Sequence, residues 1–495
     1  MGAPAAYGRG RRAAAAAAPA GGAAGGGTGG SLLLPGRSML ESARDPLRWA
    51  LVALMILSIG RLHQYYSFLM PLRPGLLAVG FSSLYAILVP SSLSRARVLD
   101  TWQGKLVVAL AAFTIVGAPF GLSIGQSAKF WMEYYSKVLA FWLLLVLGIR
   151  HAGDLSRFVW AYVIATAFQC YFSIFVFGIE EQFGSATMRL ADDAMFMFDP
   201  NDLGVIMTVA LPMALLNLQL GKWKGKVFSA IVAIAIAWTI ALSGSRGGLI
   251  GLVVVALALL FMLKTVSVVK RLIFVGACAV ALTLAAPAGY WEQMSTMLKM
   301  KDDYNMTSED GRKAIWKRGM GYMFDYPVFG IGIDNFGRAE GTISDKAKNR
   351  DPDSGLLFAA AHNSFVQIGA EQGIPGLIMF ISLCFGSGVS LLRLRKRLPP
   401  GWKSGDEEQR YLYASTMFLP ISFFAFCVTG FFVSFAWQDL PYILVALGIG
   451  VHICVRQKLA AGAAGGAAPI QSGAPARGRG GRGAAAAATL RTLPR

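Results

Sequence analysis

Residues Val227–Leu263 read V-F-S-A-I-V-A-I-A-I-A-W-T-I-A-L-S-G-S-R-G-G-L-I-G-L-V-V-V-A-L-A-L-L-F-M-L, with Arg246 the only ionisable side chain. On either side of S-G-S-R-G-G the chain is apolar without the alternation of a barrel strand. Each side approaches the length a helix needs to cross about 30 Å of hydrocarbon. In lipid every backbone N–H and C=O must be paired within the segment, so such runs are helices. The intervening serines and glycines let the backbone reverse. The stretch therefore predicts two membrane-spanning helices joined by a tight hairpin that carries one cation.

The same pattern recurs outward from this pair. Candidate spans fall near 47–63, 74–90, 106–122, 134–149, 156–178, 202–219, 227–243, 247–263, 272–289, 373–392, 412–433 and 438–455. This predicts an all-α polytopic membrane protein of about twelve transmembrane helices. Composition agrees: 55% of the residues are hydrophobic and 15% charged, against about a quarter charged in soluble domains. The chain divides into an N-terminal tail (1–45), spans one to nine (46–289), a long loop (290–362), spans ten to twelve (363–459) and a C-terminal tail (460–495). Both tails are rich in Ala, Gly and Arg and poor in large apolar residues, so they are expected to be disordered.

The formal charge is +19, which in a soluble protein would suggest nucleic acid. Here the cations fall in short loops on one side, as in G-K-W-K-G-K (221–226) and R-L-R-K-R-L-P-P (393–400). The positive-inside rule makes that side cytoplasmic, with both termini on it. No nucleic acid partner is expected; tail arginines can touch anionic lipid. The loops 179–201 and 290–362 then face outward. The five cysteines, Cys170, Cys278, Cys384, Cys427 and Cys454, lie in apolar spans at no metal or redox spacing. No internal repeat supports a transporter of inverted halves.

The polar residues able to do chemistry gather on the outward side. His362, in A-H-N-S-F, sits where the long loop meets an apolar helix. An imidazole there suits proton transfer near neutral pH; equally, it fits a helix start capped by Asn363 or Ser364. Arg246 is an isolated cation on a short outward hairpin, where lysine and arginine are normally scarce. A guanidinium between small residues suits a pair of phosphate oxygens; the alternative is an arginine snorkelling at the membrane edge. In G-R-K-A-I-W-K-R-G, Arg312 and Trp316 share a helical face at i and i+4, and Lys313 and Lys317 share the next. That segment reads as an amphipathic helix at the bilayer surface, a depth that also suits a lipid diphosphate. Arg189 stands among acidic neighbours and fits a salt bridge as well as a site. D-P-D at Asp351–Asp353 and the pair Asp302/Asp303 have loose metal-ligand spacing, too common to establish a site. No metal or cofactor is expected. Phosphate-binding loops, nucleophile elbows and HExxH motifs are missing from the sequence.

Four segments resemble the bacterial O-antigen ligase and Wzy-type polymerase superfamily: D-P-N-D-L-G (Asp199–Gly204), S-G-S-R-G-G-L-I-G (Ser243–Gly251), G-R-K-A-I-W followed by Y-P-V-F-G-I-G-I-D-N-F (Gly311–Phe336), and A-H-N-S-F-V-Q-I-G-A-E-Q-G-I-P-G-L-I-M-F (Ala361–Phe380). The resemblance implies a C-type glycosyltransferase-like fold with a periplasmic helical loop over a membrane-facing cavity. It further implies a bacterial inner-membrane enzyme that moves a glycan from undecaprenyl diphosphate to an acceptor on the periplasmic face, by an inverting, metal-independent route. In a ligase, which completes lipopolysaccharide biosynthesis, the acceptor is lipid A–core; in a polymerase it is another lipid-linked unit. The ligase is the leading expectation. Polymerase, lipid-glycan flippase and protein O-glycosylation are the competing ones. By the same resemblance His362 is the base, Arg246 and Arg312 bind the diphosphate, and Arg189 is a looser match. Asn201, Asn363, Trp316 and Lys313 are weaker candidates for substrate contact.

Overall fold

The computed structural model describes residues 45–94, 98–181, 188–190, 199–264, 266–299, 303–348 and 359–465. Most of the two tails, and the D-P-D segment with Asp302, lie outside the described residues.

Among these residues ten helices are long and apolar enough to cross a membrane, and Pro46–Gly60 and Arg246–Met262 are shorter apolar helices. The chain is an all-α polytopic membrane protein. Its principal helices are α1 (Pro46–Gly60), α2 (Pro74–Leu88), α3 (Trp102–Gly117), α4 (Ile124–Gly148), α5 (Ala152–Phe175), α6 (Pro200–Leu220), α7 (Trp223–Ser243), α8 (Arg246–Met262), α9 (Val268–Ala285), α10 (Arg312–Asp325), α11 (Phe336–Thr342), α12 (Ser364–Arg397), α13 (Glu407–Thr429) and α14 (Asp439–Gly465). The outward loop expected over 179–201 holds a small antiparallel sheet, β1 (Ile179–Glu181) with β2 (Met188–Leu190), pairing Glu180 with Arg189. α14 runs through Gly465, past the tail boundary expected at 460.

Local chemistry sets the helix starts. Asp199 caps α6 through the Asn201 and Asp202 N–H groups, with Pro200 in the first turn, where its missing N–H costs nothing. Ser245 caps α8 through the Gly248 N–H. Asn363 caps α12 through Phe365 and Val366. Asp406 and Gln409 form a capping box on α13.

The most buried span, α6, packs against α5, α7, α8 and α13. Its crossing with α8 is close because both helices offer glycine there. A Cβ on Gly204 would stand 3.2 Å from the Gly248 Cα, and one on Gly251 would stand 2.3 Å from Thr429 Cγ2 and 2.7 Å from Thr208 Cγ2. Small residues at such crossings let membrane helices approach. At the other end of the bundle, fully buried Arg48 pairs with Asp45 and bonds Ser92, with Asp154 3.7 Å away.

The tenth span corrects the expectation. It begins at Ser364, not near 373, because E-Q-G-I-P-G interrupts the hydropathy without ending the helix. Gly373 adopts φ 64° and Pro375 follows, so α12 is broken. The long loop docks on the break. Ile331 N–H donates to the Ala370 carbonyl (2.9 Å), Gly332 N–H to the Glu371 carbonyl (3.0 Å), and Ile374 N–H to the Pro327 carbonyl (2.9 Å). The buried Glu371 carboxylate accepts from the Phe336 N–H (3.1 Å) and the Trp437 indole (2.5 Å). Backbone groups freed by the kink are thus paired by the loop, as a low-dielectric setting requires.

Adding a methyl at Gly251 overpacks the α6–α8–α13 junction. Gly251→Ala should cost roughly 1–3 kcal/mol, read as a lower melting temperature of the detergent-solubilised protein. Gly276→Ala, with nothing within 4 Å of its Cβ, should be neutral or stabilising. Equal melting of the two variants would contradict the close crossing.

Candidate active site

Four polypeptide segments meet at one end of the bundle. The first is the α7–α8 hairpin. Gly244 closes α7 with φ 59°, a left-handed conformation that suits glycine. Ser245 then caps α8 and Arg246 becomes its first residue. The second is the start of α10, which places Arg312, Lys313 and Trp316 on one side. The third is β2, which brings Arg189; the fourth is the start of α6, which brings Asn201. These six residues line a single cavity of about 330 Å³ together with Gln293, Asp303, Asn305 and Phe432.

The cations in this cavity are balanced by acids that the sequence did not single out for this purpose. Arg246 Nη1 lies 2.5 Å from Asp303 Oδ2. Asp303 also accepts from the Asn305 backbone N–H (3.0 Å) and side-chain amide (3.2 Å), so its carboxylate is fixed rather than swinging in solvent. Asp303 was read only as half of a loose metal pair; here it neutralises an arginine. Arg312 is held below its usual range by burial first, while Asp199 and Asp303 push it upward and Arg246 and Arg189 push it downward. Three guanidiniums and two carboxylates therefore feel one another at this end. Arg318, two helical turns along α10, faces elsewhere: it forks onto Glu340 (2.6–3.1 Å) and, with Tyr322 donating to the same carboxylate at 2.7 Å, ties α11 to α10.

His362, just before α12, is not among the residues that line this cavity, but it feels the charges of Arg312 and Asp199. Its backbone is left-handed, φ 46°, a conformation that costs a non-glycine residue about 1–2 kcal/mol. The peptide group that precedes it is held at both ends. The His362 N–H donates to Ser434 Oγ (2.8 Å), and the Ala361 carbonyl accepts from the Trp316 indole N–H (3.0 Å). A strap from the α13–α14 connection completes the clamp: Ser364 Oγ donates to the Val433 carbonyl (2.8 Å) and accepts from the Phe435 N–H (2.9 Å). Trp316 thus lines the arginine cavity with its ring and positions the histidine with its N–H. Burial, then the charge of Arg312, push the His362 imidazole below its usual value, and Asp199 opposes them. That direction favours the neutral ring, the form able to accept a proton.

Asn363 serves the helix, not the cavity. Its Oδ1 accepts from Phe365 (2.9 Å) and Val366 (3.1 Å), and the residue is 1% exposed. Ser434 escaped the sequence reading and Ser364 was read only as a possible cap, because each acts on backbone across about 70 residues, a pairing no local pattern announces. Asp199 was visible only as the opening of D-P-N-D. Among the described residues no cluster of His, Cys, Asp or Glu is arranged to hold a metal ion.

Residues 204–381 match the family model Wzy_C, described as O-antigen ligase. That stretch of the chain is similar to the O-antigen ligase/Wzy superfamily. The match spans α6 to the middle of α12 and so includes Arg246, Arg312, Trp316 and His362. A protein of Haemophilus influenzae, described as uncharacterized, is 27% identical over 173 residues, which cover 32% of this chain and 42% of that relative.

The geometry makes a pH prediction. His362 should lose its proton-accepting form only below its ordinary value of about 6.5. Because Arg312 helps depress it, Arg312→Gln should move the midpoint to higher pH. Carbethoxylation of His362, followed by mass spectrometry across pH, reads both values. A midpoint that stays put or falls in the variant would overturn the coupling.

Proposed function

We propose that this protein is a membrane glycosyltransferase of the O-antigen ligase type, moving a glycan from undecaprenyl diphosphate to lipid A–core at the non-cytoplasmic face of the bacterial inner membrane. The observation that carries the proposal is the single cavity shared by Arg189, Arg246 and Arg312, with Trp316 bridging it to His362.

The chemistry follows from charge. Breaking the bond between the anomeric carbon and the diphosphate leaves negative charge on phosphate oxygens, and donors fixed in advance stabilise it most. Arg246 and Arg312 start helices at the cavity, so their guanidiniums are pre-positioned with the helix N-terminal N–H groups behind them. Asp303 holds Arg246 until substrate arrives; a diphosphate, with more charge and more acceptor oxygens, takes over that guanidinium. Arg189 and Lys313 add positive charge at the rim. On the opposite side of the sugar, neutral His362 removes the proton from the acceptor hydroxyl as its oxygen attacks the anomeric carbon. One displacement with one base inverts the configuration. Fixed cations supply the neutralisation that a divalent metal supplies elsewhere, which is why the reaction is proposed to be metal-independent. Asn201, beside the arginines, is placed to hydrogen-bond a sugar hydroxyl.

The test is transfer by purified protein from a lipid-linked glycan to lipid A–core. His362→Ala should reduce the rate by roughly 10²–10⁴-fold while donor binding persists. Unchanged transfer in that variant would overturn the base assignment. Donor chains that lengthen without consuming lipid A–core would replace the ligase with a polymerase. Loss of wild-type activity in EDTA would overturn the metal-free route.

A further inference from the structure

A second cavity, of about 760 Å³, opens at the end of the bundle opposite the arginine cavity. It lies between the start of α3, the second half of α12 and the end of α14. Its walls include Trp102, Leu106, Phe385 and Val389, and Arg393, Arg397 and Arg456 line it as well. No acidic side chain lines it among the described residues. Ile381 and Phe385, on its open side, are 42% and 52% exposed, and they lie on the span α12. Gln103 lines the cavity at 1% exposure, and its side-chain Nε2 has no hydrogen-bond partner among the described residues. Nearby, Ser390 Oγ and His452 Nε2 share a hydrogen bond of 3.0 Å.

Arginines at a helix end ordinarily snorkel to water, and that alone would explain three cations at a membrane boundary. It does not explain a cavity of ligand size with apolar walls and a buried amide donor left unpaired, since such groups are normally satisfied. The combination matches one chemistry. Acyl chains suit the apolar, lipid-facing side; a phosphodiester suits the arginines; and a headgroup or ester oxygen suits the Gln103 amide. We propose that this cavity is a binding site for a phospholipid with an anionic headgroup, distinct from the site of transfer and independent of the activity proposed for it.

The probes are dioleoyl phosphatidylglycerol and dioleoyl phosphatidylethanolamine, added in turn to the full-length protein in detergent and read by native mass spectrometry. Phosphatidylglycerol should be retained in preference to phosphatidylethanolamine. Arg393→Gln, Arg397→Gln and Arg456→Gln should each weaken its retention by roughly fivefold, and Gln103→Leu should weaken it without any change of charge. sn-Glycerol 3-phosphate should not compete, because it lacks acyl chains. Melting temperature reports whether each variant is folded, and four separate substitutions allow the test to proceed if one of them is not. Equal retention of the two lipids, retention unaffected by all four substitutions, or full competition by the soluble headgroup would overturn the proposal. So would lipid-free dimers that depend on the same residues, which would make the cavity a contact between copies of the chain.

Discussion

The structure depends on the break in α12. Gly373 at φ 64° and the missing N–H of Pro375 remove backbone pairs from a helix inside a membrane bundle, where an unpaired group is expensive. Residues 327–336 of the long loop supply the replacements, and Glu371 fastens the same segment through the Phe336 N–H. This docking fixes the loop on the bundle. It fixes α10 in turn, because α10 lies against α12 and shares Arg318–Glu340 with α11. Arg312 and Trp316 stand where they do relative to His362 because the loop has a seat on the broken helix. That two distant motifs, Y-P-V-F-G-I-G-I-D-N-F and A-E-Q-G-I-P-G, occur in one chain has the same cause.

A similar economy runs through the other motifs. S-G-S-R-G-G and D-P-N-D-L-G meet at the Gly204–Gly248 crossing, and the caps that start α6 and α8 leave Asn201 and Arg246 at one cavity. Packing and the cavity use the same few residues: glycine permits the approach, the cap starts the helix, and a side chain in its first turn lines the cavity. His362 is the strained member. Its left-handed backbone is sustained by Ser434 and Trp316, which bond the N–H and the carbonyl of the peptide group before it, and strain held by its surroundings is a common mark of a working residue.

Much of this was legible in the sequence. Long apolar runs gave the all-α polytopic class, although of the twelve spans expected ten are long and apolar enough among the described residues and α1 and α8 are shorter; the i, i+4 pairing placed Arg312 and Trp316 together. The boundaries of α12 were not legible, because a hydropathy window weighs Glu371, Gln372 and Gly373 as polar or small and cannot know that the loop pairs the backbone there. The small sheet carrying Arg189 was hidden in a short, acidic loop. Asp303 was visible as a carboxylate but not as the counter-ion of Arg246, since that pair spans 57 residues. Asn363 carried two readings in the sequence, cap and contact, and the geometry of Oδ1 shows the cap.

The central claim is that the arginine cavity recognises a diphosphate on a lipid carrier. The most direct measurement is the affinity of the purified protein for undecaprenyl diphosphate against undecaprenyl monophosphate, in wild type and in Arg246→Gln. The account predicts tighter binding of the diphosphate by at least about tenfold, on the scale of one lost charge-assisted hydrogen-bond pair, and a marked loss of that preference in the variant. Equal affinity for the two lipids, or a preference that survives the substitution intact, would contradict it.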